Sequence, residues 1–336
     1  MSPVETPAGS DAPLWPPGAR AAPGGFDVIG IGECALDHVG ILADGLPEFG
    51  GKRPLAEYRR MPGGQMATTL SGLAKLGLRV GFVGSVGEGE DGREVLAPLT
   101  AAGIDVSQVR AVPGATTQMA MILVDRGSGE RTIAWYRDPA LALGAEDVAP
   151  GSVEAARALH VDTGHVVAAT AAARRARAAG IPVVLDADAR VPGLDALRPW
   201  VDFPIVSQSF AETSSGDVSV SAALDALVRD GARMAVMTLG EVGAVAKLGD
   251  RWIRSPGFAV TARDTTGAGD AFRAGFLLGL LEGASAERTL ALAHAVAAHN
   301  CTGLGAQGGL PDRAALDAFL ASHERRPWRE PEALRI

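Results

Sequence analysis

The stretch Asp264-Thr265-Thr266-Gly267-Ala268-Gly269-Asp270 decides the fold. Before it, Gly257-Phe-Ala-Val-Thr-Ala-Arg263 is β-branched and half-alternating, the pattern of a strand. After it, Ala271-Phe-Arg-Ala-Gly-Phe-Leu-Leu-Gly-Leu-Leu281 is apolar at helical spacing, so the glycines are expected at a strand-to-helix turn. Gly267 and Gly269 tolerate positive φ and carry no Cβ, which lets backbone N–H groups of the first helical turn converge on an anion with the helix dipole behind them. Phosphate is the expected guest. A phosphate would repel Asp270, and a carboxylate kept there against that cost points to a task, accepting the proton of a hydroxyl that attacks phosphorus. Capping by Asp264 and Asp270 is the plainer alternative. No Lys-Ser or Lys-Thr follows the glycines, which excludes a Walker P-loop.

Composition narrows the field. The chain has 336 residues, 47% hydrophobic and 21% charged, enough to bury a full α/β core. Its net charge of −8, without a long basic run, argues against nucleic acid or an anionic membrane as partner. Cys34 and Cys301 lie far apart and form no metal-ligand pair, so a reducing, cytoplasmic setting is expected. Residues 1–25 are crowded with Pro, Gly and Ala, lack the layout of a signal peptide, and read as a disordered leader. The cationic cluster Arg325, Arg326 and Arg329 reads as a solvated tail over 323–336.

From Phe26 the run Phe-Asp-Val-Ile-Gly-Ile-Gly32 reads as a first buried strand, and Gly30-Ile-Gly32-Glu-Cys-Ala35 imitates a dinucleotide fingerprint. A dinucleotide site needs a helix at once after the glycines, whereas Asp44-Gly45-Leu-Pro47 and Phe49-Gly50-Gly51 are loop and hairpin chemistry. Gln118 to Val124 and Arg131 to Arg137 flank Asp125-Arg-Gly-Ser-Gly129 as a hairpin. Segments 38–60 and 112–138 are the candidates for a small β-sheet lid. Between them Gly63 and Gly64 open an amphipathic helix that Gly77 closes. Farther on, strands at 158–162, 181–186, 203–206 and 234–238 alternate with helices at 168–179 and 220–229, the rhythm of a doubly wound, Rossmann-like α/β domain. Ligands in such sheets bind beyond the carboxyl ends of the strands.

The seven-residue stretch closely resembles the C-terminal signature of the ribokinase-like (PfkB) carbohydrate kinases, and Pro62-Gly63-Gly64 through Gly77, with Arg79 to Gly84, resembles their N-terminal signature. The resemblance covers residues 26–322 and implies a ribokinase fold with a lid, paired in some members with the lid of a second subunit. It implies ATP, Mg²⁺ and K⁺ as cofactors and a sugar or sugar derivative as substrate. Asp270 is implied as base, with Gly267, Ala268 and Gly269 as anion hole. Asp37, Gly63, Gly64 and Thr68 match the sugar site, Thr68 standing where an asparagine is usual. Thr238, Gly240, Gly243 and Asn300 match the nucleotide site. Asp264, Thr266, Gly303 and Gly305 match the segments around a monovalent cation. The family's Asn-x-x-Glu is replaced by Ser207-Gln-Ser-Phe210, a variant similar to that of the ketohexokinase and sulfofructose kinase branch, and Asp188 replaces another asparagine. Asp186, Asp188 or Glu241 could then hold the waters of Mg²⁺. Lys52, Arg137 and His165 are further substrate-contact candidates. Arg273, one turn past Asp270, either reaches an anionic substrate or solvates a helix face. A silent sugar-binding pseudokinase is the alternative function.

Overall fold

An apolar run without a polar face has to be covered on both sides, and Val28-Ile-Gly-Ile31 meets that demand as β1 (Val28–Ile31), all four residues buried. The computed structural model describes residues 12–16, 25–212 and 219–329. After β1 come β2 (Ala35–Leu42), β3 (Glu57–Gly63), α1 (Gln65–Lys75), β4 (Val80–Gly87), α2 (Glu90–Ala101) and β5 (Asp105–Val112). The chain continues through β6 (Met119–Asp125), β7 (Arg131–Tyr136), β8 (Ala158–Val161), α3 (Val166–Ala178), β9 (Val183–Ala187), α4 (Leu194–Leu197) and β10 (Phe203–Ser207). It ends with α5 (Gln208–Glu212), α6 (Val220–Arg229), β11 (Met234–Thr238), β12 (Gly243–Leu248), β13 (Arg251–Pro256), α7 (Ala268–Leu281), α8 (Ala286–Asn300) and α9 (Arg313–Ser322).

The main sheet runs β13-β12-β11-β10-β9-β8-β1-β4-β5, parallel from β5 to β11 and antiparallel at β12 and β13. One face packs on α1, α7 and α8 through Met66, Leu70, Phe276 and Leu290, the other on α3 and α6 through Ala169, Ala172 and Leu224. That is the doubly wound arrangement. From β1 the chain goes out to β4 and β5, then resumes on β1's other side with β8, so the strand order reverses between β1 and β8. A cleft at the carboxyl ends there is where such folds bind ligands.

A second sheet, β3-β2-β6-β7, rises from this end, and its pairing puts Met61, Asp37, Ala120 and Trp135 in one row. Asp37 therefore belongs to β2, a strand of this lid sheet. Because β1 leads into β2 and no helix follows Gly32, the dinucleotide reading fails; a Cβ on Gly32 would collide with the Asp162 carboxylate.

The strand expected over 257–263 is absent apart from one bridge, Phe258 to Arg325. Its backbone is satisfied elsewhere: Gly257 N–H donates to Val242 O, while Arg263 N–H and Asp264 N–H both donate to Cys301 O. Residues 12–16, assigned above to a disordered leader, pack on the body, with Leu14 only 3% exposed. The rest of that leader, 1–11 and 17–24, and residues 330–336 of the tail lie outside the described residues. Arg325 is exposed, as expected of the tail, yet anchored: it donates to Pro256 O and Ser255 Oγ. Among the described residues no helix is long and apolar enough to cross a membrane.

Candidate active site

Helix α7 opens without a side-chain cap, at Gly267 with φ 73°. The first N–H of α7 to find a partner four residues back is that of Ala271, which donates to Gly267 O at 2.9 Å. The N–H groups of Gly269 and Asp270 precede that bond and point out of the helix start. Gly267 is needed for more than its φ, since a Cβ there would run into the Ala306 carbonyl. The turn is braced from below by Asp264, fully buried, whose Oδ1 accepts from Thr266 N–H and Oδ2 from Gly305 N–H, both at 2.8 Å. Asn300, also fully buried, donates to Ala306 O at 2.8 Å and to Thr266 O at 3.4 Å, and accepts from Gly309 N–H at 3.2 Å. Its side chain braces the loop beside the turn.

Asp270 stands in the first turn of α7, partly open to the cleft. Burial pushes its carboxyl up to about 7, with Arg273 opposing and Asp188 adding to the push. The opening to the cleft means that water relieves part of it. Asp37, buried, is likewise pushed up to about 7, by burial first and then by Asp270 and Asp264. Gly63 lets Asp37 lie flat against the backbone, for a Cβ there would strike its carboxylate. Gly64 takes φ 92°, and a Cβ there would meet Cys34 Cα at 2.6 Å. Thr68 is fully buried beneath this turn with its hydroxyl unpartnered, while its neighbour Thr69 donates to Asp270 O at 3.1 Å and ties α1 to the start of α7. Asp37, Gly63, Gly64 and Asp270 thus border one space, with Thr68 behind it.

The lid closes onto the same turn. Arg131 Nη1 donates to Thr265 Oγ1 at 3.1 Å, and Thr265 Oγ1 donates to Gly129 O at 3.2 Å. Gly305, at φ 76°, meets the lid residue Met61 at the Sδ, where a Cβ would come within 2.6 Å. Gly303 packs on Gly309. Thr238, Gly240 and Gly243 lie apart from this cluster, at the end of β11 and the turn into β12.

Several side chains have other engagements than the sequence suggests. Arg273 is 1% exposed and ion-paired with Asp186 at 2.5 Å, so it neither solvates a helix face nor reaches into the cleft, and Asp186 is taken by it. Arg137 pairs with Glu33 at 2.5 Å, donates to Gly164 O at 2.6 Å and contacts His165, whose Nδ1 accepts from Leu143 N–H at 3.1 Å. Glu33 also accepts from Gln118 at 3.2 Å, so the three points where chain passes into or out of the lid are tied together. Lys52 is exposed. Phe210 is 2% exposed within the core, which removes the polar role of the family's glutamate, while Ser207 and Ser209 donate to Asp188 O. His294 is buried edge-on against Phe272, and His299 contacts Gly309 O. The links through Arg131, Gln118 and Asp186 escape sequence reasoning because each joins residues far apart in the chain with no motif between them.

The cradle suits a phosphate: two glycines a Cβ would spoil, two outward N–H groups and no cap. Among the described residues no three His, Cys, Asp or Glu side chains form a metal cluster.

Comparison with known proteins agrees. The model of the "pfkB family carbohydrate kinase" matches residues 27–313. The ATP-dependent ribose-1-phosphate kinase of Halopiger xanaduensis is 30% identical, over 88% of this chain and 98% of its own length. Two solved structures share the fold. Ribokinase of Arabidopsis thaliana, complexed with ribose and ATP, has a TM-score of 0.73 and 24% identity, covering 88% of this chain and 99% of that one. A ribokinase-like protein of Escherichia coli, complexed with ATP and Mg²⁺, has a TM-score of 0.76 and 21% identity, covering 89% and 100%. With the family model spanning most of the sequence and the fold and cradle in agreement, the chain belongs to the PfkB family of carbohydrate kinases.

Proposed function

We propose that the chain is an ATP-dependent kinase of a sugar or sugar derivative, with Asp270 as the base and the Gly267–Asp270 turn as the anion hole. The observation that carries this is the Asp270 carboxyl at the mouth of an uncapped helix start, beside outward N–H groups and across from Asp37. Asp37 and the Gly63–Gly64 backbone hold the sugar so that one hydroxyl meets Asp270. Asp270 takes its proton as the oxygen attacks the γ-phosphorus, and the N–H groups of Gly269 and Asp270, aided by the helix dipole, hold the charge on the transferring phosphoryl. A base whose carboxyl sits near 7 is matched to that proton transfer at neutral pH. Thr238, Gly240 and Gly243 line the nucleotide's place, with Asn300 bracing the loop beside it. Mg²⁺, when bound with ATP, neutralises phosphate charge. A monovalent cation belongs to this reading: Asp264 is fully buried, no described salt bridge involves it, and the buried Thr266 hydroxyl has no partner.

The test is ATP consumption with Mg²⁺, in KCl and in NaCl, against ketoses, aldoses, sugar acids, sugar phosphates and nucleosides, beside Asp270→Asn. Turnover that the substitution lowers by about a thousandfold or more, with ATP binding kept, supports the reading. Unchanged turnover in Asp270→Asn removes it. The burial of Phe210 favours one second reading, a silent sugar-binding protein, and ATP binding without turnover on any sugar selects it.

A further inference from the structure

Among the described residues Arg273 is the largest fully buried side chain, and the phosphoryl transfer proposed for Asp270 does not use it. It lies on α7 three residues beyond Asp270, on the same face. Its Nη2 is 2.5 Å from Asp186 Oδ1 and 3.5 Å from Asp188 Oδ1, and it donates to Ile205 O at 3.2 Å. Its Nη1 fills the space beneath Gly269, where a Cβ would collide with it. Asp188 in turn accepts from Gln65 Nε2 at 2.9 Å, and Gln65 opens α1 directly after Gly63 and Gly64. One guanidinium thus ties the phosphate turn, the ends of β9 and β10, and the sugar turn together. Stability is a poor reason for such a pair, since a buried ion pair gains little over apolar residues of similar volume.

We propose that Arg273 is a positioning residue for phosphoryl transfer: clamped by Asp186 and Asp188 under Gly269, it fixes the anion-hole turn and supplies a standing positive charge behind Asp270. This rests on the kinase reading above. The charge matters because Asp270 is surrounded by its own kind. Asp186 and Asp188 face it from the end of β9, Asp37 from β2 and Glu33 from beyond β1; the cations are Arg131 from the lid and Arg273 from below. Of these two, Arg273 is the one shielded from solvent, where a charge acts undiminished. It keeps Asp270 ionised enough to act as a base.

The test compares wild type with Arg273→Lys and with two double variants, Arg273→Met with Asp186→Asn and Arg273→Met with Asp186→Leu. The doubles remove the pair without stranding a buried charge. They are expected to melt near wild type, to lose about tenfold to a hundredfold in kcat with a change under about threefold in the KM for ATP. The acid limb of their pH–rate profile should move up by about half a unit, because the loss of Arg273, the charge that acts most on Asp270, is offset only in part by the loss of the Asp186 anion. Arg273→Lys, keeping the charge, should hold the acid limb near wild type. A double variant with wild-type kcat and acid limb overturns the proposal, as does a Lys variant whose acid limb moves up by about half a unit or more. Wild-type protein silent on every sugar overturns the kinase reading and this one together; turnover in wild type with indifferent doubles overturns this one alone.

Discussion

Asp37 and Asp270 reach one space from two sheets' worth of scaffold, and each carries a carboxyl pushed up to about 7 by burial. That has a thermodynamic consequence. A carboxyl whose folded value lies above its unfolded value near 4 binds a proton that the unfolded chain has already lost, so stability falls as pH rises from about 4 to about 7. At pH 8 the protein bears the whole penalty, and below pH 4 none of it. Asp37→Asn removes the charge while keeping the shape. The variant should therefore melt higher than wild type at pH 8, by about 1–2 °C for each kcal/mol regained, with the gap closing towards pH 4. The same variant should raise the sugar KM by about tenfold or more, because a fully buried hydrogen bond to an ionised group is lost. Melting curves at pH 4, 6 and 8 with sugar kinetics check both; a lower melting point at pH 8 would show that Asp37 stabilises the fold and is not strained for the site.

At the scale of the element, the start of α7 depends on Gly267 twice over, through φ 73° and through the Ala306 carbonyl that a Cβ would strike. Gly267→Ala should cost about 1–3 kcal/mol of stability and, by displacing the 301–309 loop or the first turn, lower kcat more than the KM for ATP. Equal kcat in the variant would detach the turn from the chemistry. The glycines of this turn were legible in the sequence because they are local: a φ requirement shows as a residue type. The same holds for α6 and β11, whose periodicity coincides with 220–229 and 234–238. Tertiary placement was not legible. The β-branched run 257–263 has a strand's composition, but β13 already forms the sheet's edge and Pro256 offers no donor, so the run leaves the ladder and bonds to Val242 and Cys301 instead. Arg273 reads as a substrate contact or a surface residue on an apolar helix because its partner, Asp186, comes from another layer of the fold.

For the whole molecule, the sheet separates chemistry from support. The carboxyl ends of its parallel strands carry Asp186, Asp188, Glu33 and the lid, whereas the amino ends receive the segment 12–16. There Leu14 joins the core and its N–H donates to Ala284 O at 2.8 Å. Trp15 sets its ring edge against Phe203, the first residue of β10, at 5.9 Å, and the Arg233 guanidinium lies over it at 5.3 Å from the ring centroid. This segment closes the base of the α7 and α8 layer without approaching the cleft. Leu14→Ala should then cost about 2–4 kcal/mol, the usual result of emptying a buried leucine's place. A chain of this length spreads that loss over a large unfolding entropy, so the melting point should fall by only about 3–6 °C. Sugar and ATP kinetics measured well below that temperature should be unchanged. A fall in kcat with the melting point unmoved would reverse the assignment and make the amino-terminal segment part of the site's machinery, because packing at the base of the sheet has no other route to the rate than through the folded fraction.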